Sequence, residues 1–440
     1  MKTMNEKSEF VINTFSAHGH SAYLVGGCVR DMLMGKEPHD TDITTSALPE
    51  ETQEIFKDFP VIETGLKHGT VTLLIEHTPI EITTFRTEEG YSDGRHPDKV
   101  YFTKDIKDDL CRRDFTINSI AYNSKEGYID LFGGRNDIEK GIIRCVGNAE
   151  ERFREDSLRI LRALRFASAL GFSIEKETAD AMFNCKELLS NISVERIYSE
   201  TVKLLCGKNV KKVLLDYSEI LSVFIPEIVA MKGFNQHNFH HKYDLLEHTA
   251  VVTESIAPIP HLRLAAFLHD VSKPRCMTFD EYGVGHFYGH PSLSAKIADE
   301  ILLRLKCDNA TREKTVKLIK LHDNPIEESE RILKRKLRSI GEDLLFDLIA
   351  LQTADTSGLA DEFRTRFEHF RILREMTESI IKQQQCFSLK DLAVNGHDLI
   401  EMGYKGKEIG GRLDFLLEAV IDGRIENNKT ELLNELKKDG

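Results

Sequence analysis

The densest run of chemistry-bearing residues is LVGGCVRDMLMGKEPHDTDIT, residues 24–44. Two adjacent glycines, Gly26 and Gly27, let a backbone come close to a phosphate, and a helix starting there adds free N–H groups. Arg30 contributes a planar, charge-assisted fork suited to a triphosphate. A glycine pair alone equally marks a simple turn. Asp40 and Asp42, at i and i+2, would share one face of a strand. Carboxylates so placed repel unless a cation lies between them. Two divalent ions about 4 Å apart are the usual device for activating an attacking hydroxyl and steadying a leaving pyrophosphate. Glu81, opening EITTFR, could complete such a site from a neighbouring strand. A lone DxD is commonly a turn; the glycines and the arginine at this spacing favour the metal reading.

A second constellation lies mid-chain, in YDLLEHTAVV, AAFLHDVSKP, GHFYGHPSLSA, KLIKLHDN and LQTADTSG. Its residues are His248, His269, Asp270, His290, His322 and Asp355. Imidazoles and carboxylates on successive helices can converge on a metal inside a bundle. Lone histidines are usually core or surface residues, and the His-Asp pair followed by Lys-Pro is what lifts this series above that.

The elements that must position these residues change character along the chain. The first third mixes β-prone runs with turns: Ser21 to Val25, a hairpin of Val71–Ile75 and Ile80–Phe85 around His77, Thr78 and Pro79, and Tyr128 to Leu131 before Gly133-Gly134. Residues 86–100 are polar and read as a long loop. From about residue 137 apolar residues recur at helical spacing, with Phe153, Leu158, Leu161, Leu164 and Ala167 on one helix closed near Gly171. A Pro/His-rich stretch at 226–245 marks a boundary. The expected class is α+β: a head with a small mixed sheet and helices, followed by all-helical modules. The expected divisions are 1–135 (the mixed α/β head), then all-helical modules at 136–230, 231–383 and 384–440.

At 440 residues, 41% hydrophobic and 30% charged, the composition is that of a soluble multidomain protein. No apolar run reaches the ~18 residues of a membrane span, and the N-terminus lacks a secretory pattern. A cytoplasmic location and no membrane partner are expected. Eight scattered cysteines form no CxxC pair, which excludes a zinc ribbon and fits a reducing compartment. A net charge of −13 does not exclude nucleic acid, because local clusters decide. Arg152, Arg154, Arg159, Arg162 and Arg165, then Lys203 to Lys212 and Arg331 to Arg338, are such clusters. The last two serve equally well as solvated helix faces.

LVGGxVRD followed by DxD resembles the nucleotidyltransferase branch (class II) that holds bacterial CCA-adding enzymes and poly(A) polymerases. DLCRRDFTINSIAY (109–122) is similar to that branch's second signature, in which Arg113 and Asp114 approach the incoming nucleotide. ERFREDSLRILRALRFA (151–167) resembles the templating helix, with an EDxxR core at Glu155, Asp156 and Arg159. ISVERIYSE (192–200) resembles the next neck segment, and DLAVNGHDLIEMGYKGKEIGGRLDFLLEAVIDG (391–423) the family's tRNA-binding tail.

The EDxxR chemistry follows from base edges. Cytosine and adenine both show an amino donor beside an unprotonated ring nitrogen, whereas uracil and guanine show a carbonyl beside an N–H. A carboxylate facing the amino group and a guanidinium facing the ring nitrogen accept C and A only. Asp156 and Arg159, at i and i+3, would lie on one helix face, and a wrong base would leave buried polar groups unpaired. Arg162 and Arg165 would meet phosphates or fix the pair. On spacing alone, Asp156 and Arg159 are equally a surface ion pair. Changing from C to A requires the pocket to reshape; residues 86–100 are the natural candidate, with Arg95 and Asp98 as a basic-then-acidic element.

The resemblance implies addition of C, C and A to tRNA lacking all or part of its CCA end, from CTP and ATP, with Mg²⁺ held by Asp40 and Asp42 and pyrophosphate released. Addition of A alone, or poly(A) synthesis, is the nearest alternative. The mid-chain series resembles the HD phosphohydrolase module. It would ligate a divalent metal through His248, His269, Asp270 and Asp355, with His290 and His322 as the extra pair of two-metal versions. A metal-dependent phosphohydrolase with an RNA-binding head is the second alternative.

Overall fold

Ile80, Ile82 and Thr84 are buried while the alternate positions Pro79 and Glu81 are exposed, so one strand presents a core face and an acidic face. The structure, a computed structural model, describes residues 5–38, 40–90, 98–238 and 242–438. It divides into two compact units, Met1–Val229 and Ala230–Gly440.

In the first unit α1 (Glu6–Ala17) precedes β1 (Ala22–Val25), α2 (Gly27–Leu33), β2 (Asp42–Thr45), α3 (Pro49–Ile55), β3 (Val61–Gly65), β4 (Thr70–Ile75) and β5 (Thr78–Thr84). Next come β6 (Arg86–Glu89), β7 (Lys99–Phe102), α4 (Ile106–Cys111), β8 (Ile120–Asn123), β9 (Gly127–Asp130) and α5 (Gly134–Lys140). The main sheet runs β3-β4-β5-β2-β1-β8-β9. Only β2 and β5 pair in parallel; the other neighbours are antiparallel. Val11 and Phe15 of α1 join Ile43, Leu73, Ile80 and Ile82 in the core.

The expected hairpin forms, but its turn is Glu76-His77, both at positive φ (49° and 63°). This is the backbone a tight two-residue connection requires. The reading of 86–100 as loop is corrected at its two ends, where Arg86 to Glu89 pairs with Phe102 back to Lys99 as an antiparallel ribbon; residues 91–97 lie outside the described residues. Arg95 lies outside the described residues. Asp98 lies at the ribbon's end, its N–H donating to the Gly90 carbonyl at 2.9 Å.

Beyond α5, β10 (Ile142–Ile143) pairs in parallel with β11 (Ser173–Ile174). The helices of this region are α6 (Ala149–Glu155), α7 (Leu158–Leu170), α8 (Lys176–Cys185), α9 (Val194–Leu205) and α10 (Val210–Leu221). The single helix expected from Phe153 to Ala167 is two. Asp156 is extended (φ −138°, ψ 98°), and its Oδ1 accepts the Leu158 N–H at 3.1 Å, starting α7 afresh. The end at Gly171 (φ 76°) is as expected.

The second unit contains α11 (Leu245–Ser255), α12 (Pro260–Leu268), α13 (Lys273–Cys276), a small hairpin of β12 (Thr278–Phe279) and β13 (Gly285–His286), and α14 (His290–Arg304). It continues with α15 (Asn309–Leu321), α16 (Glu330–Ile340), α17 (Glu342–Ser357), α18 (Arg366–Lys382), α19 (Gly396–Glu401), α20 (Lys407–Ile421) and α21 (Lys429–Lys438). The last three surround a core of Leu399, Leu416, Leu417, Leu432 and Leu436. Of the basic cluster 331–338, Arg335 pairs with Asp422 (2.8 Å) and Arg338 with Asp414 (2.6 Å), so these charges join α16 to α20. Among the described residues no helix is long and apolar enough to cross a membrane.

Candidate functional site

β2 and β5 run parallel with Asp42 directly opposite Glu81, which places both carboxylates on the face turned from the core. Asp40 departs from expectation in one respect: it sits exposed in the bend before β2, outside the strand that holds Asp42. Burial first, then the adjacent Glu81 carboxylate, push the Asp42 carboxyl up, and Asp40 adds to this; Arg113 works the other way. A carboxyl raised in this manner by neighbouring acids is relieved by a divalent cation. The donor set therefore fits a hard, oxygen-liganded metal.

Gly26, at φ 74°, turns the chain out of β1. A Cβ there would lie 3.3 Å from Arg113 Nη1 and 3.6 Å from Asp42 Oδ2. The missing side chain thus lets Arg113 and Asp42 share one corner. Arg113 Nη2 is steadied by Asp109 Oδ2 at 3.0 Å. Gly27 opens α2, and a Cβ on it would come within 3.5 Å of Arg30 Nη2.

Arg30 is buried with its fork already engaged. Nη1 donates to Asn118 Oδ1 (2.8 Å), and Nε and Nη2 donate to Asp31 Oδ1 (3.0 and 2.9 Å). Asn118 in turn donates to Asp114 Oδ1 (3.1 Å), and Arg162 grips Asp114 Oδ2 through Nε (2.8 Å) and Nη2 (2.6 Å). Burial works against charge on Asp114, but Arg162 and Asn118 hold its carboxyl down to about 2. The guanidiniums of Arg30, Arg162 and Arg165 lie 5.3, 5.6 and 4.2 Å from the Phe166 ring centre, and Arg165 pairs with Glu200 at 2.8 Å. The sequence reading missed Asn118, whose signal was a polar residue four positions after Asp114.

Asp156 and Arg159 flank the α6–α7 break. Arg159 is buried and spans three acceptors: Glu155 Oε2 (2.7 Å), the Arg152 carbonyl (3.1 Å) and the Arg112 carbonyl (3.0 Å). Asp156 Oδ2 receives Arg196 at 3.3 Å. The extended backbone at Asp156, not a common helix face, sets where its carboxylate lies.

In the second unit the mid-chain residues converge. His248 and His269 bring Nε2 atoms 3.3 Å apart, as do His290 and His322. Asp270 stands between the pairs, Oδ2 3.1 Å from His269 and Oδ1 3.2 Å from His290. Asp355 Oδ1 is 3.0 Å from His248. Each ring binds a backbone carbonyl through Nδ1: Gly358, Ala266, Phe287 and Ile319, at 2.7–3.1 Å. Since a carbonyl only accepts, Nδ1 carries the hydrogen and a neutral ring turns a bare Nε2 inward. Burial opposes charge on His269, but Asp270 and Asp355 hold it up to about 10, so a metal bound there would displace the proton on its Nε2. Two groups that could hold a metal ion result, His248–His269–Asp270 and Asp270–His290–His322, with Asp270 common to both triads. Lys273, which the sequence reading left out of the site, reaches Asp270 Oδ2 at 2.7 Å. Above lies a cavity of about 340 Å³ lined by Lys273, His322, Gln352, Arg366 and His369 among others.

Comparison with known proteins places these features. Residues 22–144 match the model of the poly A polymerase head domain, and 171–231 that of a probable RNA and SrmB-binding site of polymerase A. Residues 288–436 match a putative tRNA nucleotidyltransferase domain 2. The CCA-adding enzyme of Lactobacillus helveticus is 34% identical over 430 residues, 95% of this chain and 93% of that relative. The chain belongs to the CCA-adding enzymes. Family members of this type use a divalent metal. The match to the enzyme of Lactobacillus delbrueckii subsp. bulgaricus is closer in identity, 52%, but covers 47% of this chain and about half (52%) of that relative's length. The crystal structure of the Bacillus stearothermophilus CCA-adding enzyme in complex with CTP matches all of this chain and 99% of that one, at 30% identity and a TM-score of 0.73. The mixed-sheet head and helical remainder are thus the family's fold.

Proposed function

We propose that this protein adds C, C and A to the 3′ end of tRNA from CTP and ATP without a nucleic-acid template, releasing pyrophosphate. The observation that carries this is the cross-strand pair Asp42 and Glu81 at the Gly26 corner, with Arg113 beside it. The tRNA 3′-hydroxyl oxygen bonds to the α-phosphorus as the bond to the pyrophosphate oxygen breaks. Asp40 and Asp42, with Glu81 beside them, would hold Mg²⁺, which when bound activates the hydroxyl and neutralises the departing charge. The Gly26-Gly27 turn admits the triphosphate, which Arg30 and Arg113 meet; Asp114 fixes Arg162. Asp156 and Arg159 read the base edge, the carboxylate toward the amino group and the guanidinium toward the ring nitrogen. Modules 1–135, 136–230, 231–383 and 384–440 provide the head, neck and body, HD-type domain and tRNA-binding tail. The test is extension of a tRNA transcript ending before CCA; no incorporation of CTP would remove the reading.

A second activity is favoured by the four inward-facing Nε2 atoms around Asp270. We infer an HD-type site holding a divalent metal through His248, His269, Asp270 and Asp355, and a second through His290 and His322. The bound metal would lower the pKa of a water for attack on a phosphate ester. Lys273 would keep Asp270 charged and oriented. Asp270→Asn removes the ligand common to both triads, so metal bound in excess of that held by the head, by elemental analysis, and phosphomonoester hydrolysis should both fall to background while CTP addition persists. Gly358→Ala replaces no proposed ligand, but its Cβ would stand 2.3 Å from Nδ1 of the ligand His248. It is expected to weaken metal binding about 10–100-fold. Unchanged metal content in both variants would contradict this reading.

A further inference from the structure

The cationic side chains that line the cavity at Asp270 are in unequal states. Lys273 is committed, its Nζ donating to Asp270 Oδ2 (2.7 Å) and to Gln236 Oε1 (3.1 Å). His369 Nδ1 meets Glu328 Oε1 at 2.6 Å. Arg366 differs. It lines the same cavity and is exposed. Among the described residues no carboxylate comes within ion-pair distance of it, the exposed Asp323 on that lining included. Its contact with the fold is Phe370, whose ring centre lies 5.8 Å from the guanidinium carbon.

Arg366, His369 and Phe370 stand at i, i+3 and i+4, on one face of α18. Packing on the buried Phe370 ring restricts the guanidinium while leaving its N–H donors unengaged among the described residues. Arg366 opens α18, the end at which a helix disfavours a cation, so helix stability does not account for it. A guanidinium in this state is a planar fork suited to two oxygens of an anion. The same lining carries Asp270, Asp355, His290 and His322, the groups proposed to hold metal. A phosphate seated there would meet a second positive contact in Arg366. A phosphate monoester carries three acceptor oxygens and close to two charges at neutral pH; a diester has one oxygen and one charge fewer. Two separate contacts, at the metal-holding groups and at the fork, therefore suit the monoester.

We propose that Arg366 is the phosphate-recognising residue of this cavity and sets a preference for phosphate monoesters over diesters. This rests on the reading of the cavity as a metal-dependent phosphohydrolase site. The test compares the wild type, Arg366→Ala, Arg366→Lys and Asp270→Asn as full-length proteins supplied with Mg²⁺, Mn²⁺, Co²⁺ or Ni²⁺. Bound metal is measured by elemental analysis, and the Kd for inorganic phosphate by titration calorimetry. Hydrolysis is followed with p-nitrophenyl phosphate, a monoester, and bis(p-nitrophenyl) phosphate, a diester. In Arg366→Ala the KM for the monoester and the Kd for phosphate should both rise about 10–100-fold. Its metal content and its kcat/KM for the diester should stay at the wild-type level. Arg366→Lys keeps the charge without the fork, so its rise should be intermediate. Phosphate binding remains informative if the diester is not turned over. Equal losses on both esters, or an unchanged KM and Kd in Arg366→Ala with its metal retained, overturn the role of Arg366 and leave the site itself standing. If the wild type holds no more metal than Asp270→Asn and hydrolyses neither ester, the phosphohydrolase reading fails and this proposal with it.

Discussion

Asp42→Asn should reduce CTP and ATP incorporation by at least about 10³-fold, while the fold becomes no less stable. The two halves of this expectation have one cause. Burial, Glu81 and Asp40 raise the Asp42 carboxyl above its ordinary value, so the folded protein holds that proton more tightly than the unfolded chain. Stability from this group is fully present below the ordinary carboxylate range and is lost as pH rises through the raised value. At neutral pH the ionised side chain works against folding, and the neutral amide removes that cost together with a metal ligand. A thermal melt in metal-free buffer should show an equal or higher Tm, and single-turnover incorporation of labelled CTP should show the loss. Full activity in Asp42→Asn would mean that the Asp42–Glu81 corner does not carry the chemistry.

Arg159→Lys is expected to cut discrimination of C and A against U and G by about 10²–10³-fold, with a rise in KM for CTP. The guanidinium spans Glu155, the Arg152 carbonyl and the Arg112 carbonyl with its plane fixed. An ammonium is a point charge and cannot keep that plane while facing a ring nitrogen. Comparing kcat/KM for CTP and UTP on one tRNA transcript measures this directly. A lysine variant that still rejects UTP as the wild type does would place base reading elsewhere.

The strand into Gly26, the hairpin and the closure at Gly171 were legible because each rests on local chemistry: a turn glycine, alternation, a helix end. The break at Asp156 was not. The apolar spacing of Phe153, Leu158 and Leu161 continues across it, and only the side chain of Asp156, by capping Leu158, reveals that the helix restarts. Asp40 was placed on a strand because i and i+2 spacing cannot show where pairing begins. The ribbon went unseen since Arg86, Glu88 and Lys99 make its strands look solvated, although Arg86 and Glu88 pair with each other within the fold. Asn118 and Lys273 were missed for a related reason: what matters is which partner tertiary packing brings to them, Arg30 in one case and Asp270 in the other. The mid-chain histidines were readable as a set, but the common position of Asp270 between two triads is a property of packed helices alone.

The most direct test of the central assignment uses three tRNA transcripts, ending before CCA, after C and after CC, each offered labelled CTP, ATP or UTP in turn and in mixture. The account predicts that CTP and ATP together extend all three to a single CCA end, that UTP is refused, and that Asp40→Ala abolishes extension. Extension of the CC-ending transcript alone, or long A tails on any RNA, would contradict it.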